Sequence, residues 1–143
     1  MQNLLMKTDG EMKSGMMDKC LLIIRLAAGI IFLMHGYGKL TGNPSIEMFT
    51  GMLGGMGIPM PMFFAWVVAL VEFLGGIALI LGLFTRPAGA LLAIDMLVAL
   101  TMAKKLKFPG ADIDLALLSI SIALAMTGPG MFSVAAKMMK GKK

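Results

Sequence analysis

One cysteine, one histidine, one tryptophan and one tyrosine are all that 143 residues contain of those four types. A lone Cys20 forms no internal disulfide, so dithiol chemistry, which needs two sulfurs on one chain, is excluded. A lone His35 leaves a two-ligand haem site dependent on a methionine or a second subunit, and haem is not expected. No zinc spacing, glycine-rich phosphate loop or nucleophile elbow occurs, so no metal site is predicted and the usual signals for nucleotide and acyl-transfer chemistry are missing. Charge is scarce as well. Only 15% of residues are charged and 58% are hydrophobic, against about 25% and 45–50% in soluble domains, which leaves too little polar surface to face water on all sides.

The apolar residues fall into four segments, Cys20 to Tyr37, Met62 to Leu83, Ala88 to Ala103 and Ile113 to Thr127. The first two have the length of a membrane-spanning helix and the last two are slightly short. The pattern predicts an all-α integral membrane four-helix bundle over residues 20–130, with a polar tail at 1–19 and a basic tail at 131–143. Punctuation agrees: Pro59 and Pro61 precede the second span, Arg86 and Pro87 mark the turn before the third, and Gly128, Pro129 and Gly130 end the fourth. Residues 38–61 read as an interfacial loop or a re-entrant segment. Phe49, Met52, Leu53 and Met56 recur there at helical spacing.

Basic residues set the expected orientation. With both termini in the cytoplasm, Lys7, Lys13, Lys19, Arg86, Lys137, Lys140, Lys142 and Lys143 lie inside, and Lys39, Lys104, Lys105 and Lys107 lie outside. The net charge of +5 is thus a topology signal, with a basic tail suited to anionic lipid, and gives no warrant for nucleic-acid binding. A polar stretch precedes the first apolar run and no small-residue cleavage site follows it, so that helix is expected to remain attached.

Three ionisable residues interrupt the spans: Arg25, Glu72 and Asp95. Each costs about 2.5–3.5 kcal/mol in hydrocarbon unless it finds a partner. The expectation is an intramembrane cluster in which Arg25 pairs with Glu72, while Asp95 is protonated, hydrogen-bonded or facing a wet cavity. Arg25, Gly29, Phe32 and Gly36 share one helical face, and Ala65, Ala69, Glu72 and Gly76 share another. The plainer alternative is an ion pair that only fixes helix register.

A second polar group is expected near the outer face: His35, Tyr37 and Lys39 at the end of the first span, with Asp112 and Asp114 at the start of the fourth. A histidine whose tautomer is held by a carboxylate can hold a quinone carbonyl and move its proton. Interfacial anchoring is the simpler account of the same residues.

The succession Arg25, Gly29, Phe32, His35-Gly36, Lys39-Leu40, Gly57-Ile58-Pro59, Glu72, Gly75-Gly76, Gly82-Leu83-Phe84-Thr85-Arg86 and Gly128-Pro129-Gly130 before Ser133 resembles the DoxX family of small four-helix bacterial membrane proteins. In that pattern an acidic residue opens the last helix, where Asp114 or Asp112 stands. The aspartate that often follows the closing serine is Val134 here. The resemblance implies a bacterial inner-membrane protein associated with membrane redox or oxidative-stress assemblies: a non-catalytic or quinone-interacting subunit rather than an enzyme on its own, with quinone as the ligand and membrane redox subunits as partners. Two other functions compete. A proton or small-solute transporter built on Glu72 and Asp95 requires a continuous polar path from Arg25 to His35. A scaffold for partner subunits requires only a packed bundle, whereas a quinone binder requires an apolar slot ending at His35. Four short helices bury little surface, which also makes a homo-oligomer plausible.

Overall fold

A computed structural model describes residues 2–42 and 44–141, with side chains described from residue 13 onward. Lys142, Lys143 and the side chain of Lys7, all counted in the topology argument, lie outside the described residues. The elements in order are α1 (Gln2–Thr41), α2 (Ile46–Gly55), α3 (Pro61–Leu81), α4 (Thr85–Val98), a π-helical turn continuing α4 (Ala99–Ala103), α5 (Asp112–Thr127) and α6 (Val134–Lys140). Three of these helices are long and apolar enough to cross a bilayer: Lys13–Thr41 within α1, α3, and α4 with its π turn. At 16 residues, α5 is about 24 Å long and falls short of a 30 Å hydrocarbon layer. The protein is an α-helical membrane protein.

Two differences from the expected layout have simple causes. The first helix begins at Gln2 rather than near Cys20, because the first polar residues contain no proline and polarity ends an apolar run without ending a helix. Residues 38–61 contain a true helix. Ser45 caps α2, accepting a hydrogen bond from Met48 N at 3.2 Å. Its Ile46 and Leu53 bury against Ala65 and Ala69 of α3, with Leu40, Phe49, Met56 and Ile58 around them.

The main contacts are α1 with α3 and α4 with α5, while α3–α4 and α1–α5 contacts complete the bundle. Close approach depends on glycine. A Cβ on Gly76 would fall 2.8 Å from the carbonyl oxygen of Gly29, and one on Gly89 would fall 2.8 Å from that of Ser121. Both obstacles are backbone atoms and cannot swing aside. Gly76→Val should therefore lower stability in detergent by about 3 kcal/mol, the upper end for overpacking. Gly51 in α2 meets nothing within 4 Å, so Gly51→Ala should be neutral or stabilising by up to about 1 kcal/mol. Equal unfolding temperatures for the two variants would contradict the packing assigned to Gly76.

Candidate functional site

Glu72 lies on the buried face of α3 with Ala65, Ala69 and Gly76 and is 4% exposed. Gly36 of α1 packs directly on the backbone of Phe73, which sets His35 and Gly36 level with Glu72. Lys39 stands about one turn further along α1. Helical side chains lean toward their own N-terminus, so on antiparallel helices Lys39 and Glu72 lean toward one another. Lys39 Nζ donates to Glu72 Oε2, forming the ion pair found among the described residues. The Lys39 ammonium also sits 5.1 Å from the centre of the Phe49 ring, which α2 supplies.

The expected Arg25–Glu72 pair is not formed, and the helix register explains why. Arg25 precedes Lys39 by fourteen residues on one helix, about 21 Å along its axis.

Around the Lys39–Glu72 pair lies a polar cavity of about 250 Å³, lined among others by His35, Asp95, Lys104 and Asp114. The carboxyl of Asp95 is within hydrogen-bonding reach of that of Glu72. The two polar groups expected from the sequence thus merge: His35, Lys39 and Asp114 join Glu72 and Asp95. Three expected members stand apart. Arg25 is at the other end of the bundle, Tyr37 is 54% exposed, and Asp112 accepts a hydrogen bond from Gly110 N at 3.1 Å in the turn that opens α5. Lys104 and Phe49 were not anticipated. Lys104 reaches the cavity because the π turn at Ala99–Ala103 precedes it, and no simple periodicity in the sequence announces such a turn.

On the other side of Asp95 lies an apolar slot of about 400 Å³. Val67 and Val71 of α3 face Leu91 and Ile94 of α4 across it, and Leu53 with Ile58 roofs it. Val67, Leu91 and Ile94 are exposed along its open edge. Asp95 is the one ionisable residue among the described residues lining the slot, and it also lines the polar cavity. Its Oδ2 is buried without a hydrogen-bond partner. Asp95 stands midway along the slot's α4 wall, between Leu91 and Met102; the sequence pointed to a slot ending at His35, which lines the polar cavity instead.

Arg25 is 1% exposed and performs a different task. Its Nη1 donates to the carbonyl of Pro129 and its Nη2 to that of Phe132 at 2.7 Å. Asp18 accepts from Met131 N at 3.0 Å. Ser133 Oγ donates to Gly130 O at 2.8 Å and accepts from Ala136 N at 3.1 Å, starting α6. Gly82, with φ of +70°, leaves the space that Arg25 fills: a Cβ there would stand 2.7 Å from Nη1. Between this lock and the polar cavity the bundle is filled by Ala28, Phe32, Leu79, Leu92 and Leu124. Thr85 and Ser121 are also buried in the bundle, each with a hydroxyl that has no hydrogen-bond partner among the described residues.

Among the described residues, no group of three or more His, Cys, Asp or Glu side chains is arranged to hold a metal ion. The DoxX family model matches residues 20–105. Over 124 residues the chain is 38% identical to "Putative oxidoreductase CatD" of Bacillus subtilis, covering 85% of this chain and 89% of that protein. It is 28% identical to the inner membrane protein YqjF of Escherichia coli (82% and 90% covered) and 33% identical to the membrane protein Rv3486 of Mycobacterium tuberculosis (83% and 81% covered). No solved structure matches the chain. With the family model covering more than half of its residues and CatD similar over most of both lengths, the chain belongs to the DoxX family of membrane proteins.

Proposed function

We propose that this protein is an inner-membrane, quinone-interacting component of a redox assembly, with both termini in the cytoplasm, and that it holds the ring of a lipid-soluble quinone in the apolar slot against Asp95. The observation that carries this reading is the placement of Asp95: one ionisable side chain on an otherwise apolar wall, backed by a polar cavity. Ligand sites of this kind are mostly apolar with a few polar groups that fix orientation. The inner-membrane assignment draws support from the name of YqjF, and the redox link from that of CatD. With one cysteine and one histidine, the chain's own role is to bind and orient, and electrons would be handled by partner subunits. The Lys39–Glu72 pair and His35 provide hydrogen-bonding groups behind Asp95.

Purification in mild detergent with native lipids retained, followed by solvent extraction and mass analysis, tests this reading. About one quinone per chain is the expected yield. Filling the slot from its exposed edge with Val67→Trp should lower retention at least tenfold, since a ring-sized obstruction leaves no room for a ligand ring. A preparation that retains no quinone and binds none when it is added back would overturn the proposal.

A further inference from the structure

A quinone ring presents two carbonyl oxygens, which only accept hydrogen bonds. A carboxylate is likewise acceptor-only, and a carboxyl that gives its proton to a neighbouring carboxylate, as Asp95 is placed to do toward Glu72, has only acceptor capacity left. The described side chains lining the slot offer no amide, hydroxyl or ammonium group beside Asp95; its neighbours there are aliphatic residues, Phe64 and Met102. An oxidised ring entering the slot from the bilayer would find no donor for its carbonyls there and so gain no hydrogen bond. Of the two ammonium groups on the polar side, Lys39 is engaged by Glu72, and neither Lys39 nor Lys104 lines the slot. A reduced ring carries two hydroxyl groups, and either can donate to Asp95, the one residue lining the slot whose side chain can accept a strong hydrogen bond.

From this arrangement we infer that the slot selects the reduced, hydroxyl-bearing form of a lipid-soluble ring, with the Asp95 carboxyl group accepting a hydrogen bond from a ring hydroxyl. The inference rests on the quinone reading above and adds redox-state selectivity to it. No bond is made or broken in the binding step, and no electron moves. The groups facing Asp95 are Glu72 from α3, Lys39 and His35 from α1, Lys104 beyond the π turn and Asp114 from α5. Two of them are cationic and two acidic, and Asp95 stands in the wall between them and the ring. A water-soluble phenol offers the same donor, but the aliphatic lining favours a ligand with a hydrocarbon tail.

The test uses the full chain in quinone-free nanodiscs, kept anaerobic and equilibrated with a decyl-tailed benzoquinone, its quinol, or tail-less hydroquinone. The tailed quinol should bind at least tenfold more tightly than the tailed quinone. A tenfold preference would raise the two-electron midpoint of the bound couple by about 30 mV. Asp95→Asn supplies a donor as well as an acceptor and should bring the two affinities within about threefold, whereas Asp95→Leu should weaken only the quinol. Equal binding of both forms by the unaltered protein would overturn the inference while leaving the quinone reading intact, and this comparison needs no variant to fold. Binding of neither form would overturn the quinone reading itself. If tail-less hydroquinone bound as tightly as the tailed quinol, a lipid-borne ligand would be ruled out.

Discussion

Arg25→Met should release the connection between α5 and α6 and lower stability in detergent by about 3–5 kcal/mol. The guanidinium makes two charge-assisted hydrogen bonds, to the carbonyls of Pro129 and Phe132, each worth about 1.5–3 kcal/mol, and its removal leaves both carbonyls unpaired. Methionine keeps an apolar stem of similar length, so packing is largely retained and the loss reports the hydrogen bonds. Arg25→Lys should fall between the two, since an ammonium cannot span both carbonyls with a planar fork. Thermal unfolding together with limited proteolysis across residues 128–141 measures the effect. Ligand retention per folded chain should not change, because Arg25 lies about 21 Å from Lys39 along α1. An unaltered proteolysis pattern would remove the lock assigned to this residue.

Lys39→Met is expected to cost a similar amount, about 3–5 kcal/mol, for a different reason. The carboxylate of Glu72 would remain buried without the ammonium it bonds, and breaking a buried pair from one side is more damaging than removing both members. The double variant Lys39→Met/Glu72→Met should therefore regain most of the stability lost by the single one. A double-mutant cycle in detergent isolates that coupling. If the double variant unfolded as readily as the lysine variant, the two residues would not act as a pair.

The sequence shows the kind of residue that matters more clearly than the partner it finds. Arg25, Glu72 and Asp95 stand out because hydrocarbon penalises charge, and that penalty is independent of helix register. Pairing depends on register. The sequence does not reveal that Gly36 packs on Phe73, or that Lys39 therefore leans onto Glu72. Glycine positions predict that α1 and another helix approach closely, but not which residues come level. The helix Ile46–Gly55 was visible as an apolar spacing without a decision between loop and helix, since short amphipathic segments gain most of their stability from what they pack against. The slot was not legible at all. It arises from the gap between two helices and the roof above them, and Val67 or Leu91 looks like any other lipid-facing residue in isolation. The closing glycines and serine were legible as a motif, yet their link to Arg25 and Asp18 spans more than one hundred residues of chain.

The roof over the slot dictates how a ligand arrives. With Leu53 and Ile58 overhead and the open edge flanked by Val67, Leu91 and Ile94, access is sideways, from among the acyl chains. Occupancy then follows the mole fraction of ligand in the bilayer, so diluting a vesicle suspension with buffer should leave it unchanged, while adding empty lipid that exchanges ligand should strip the protein.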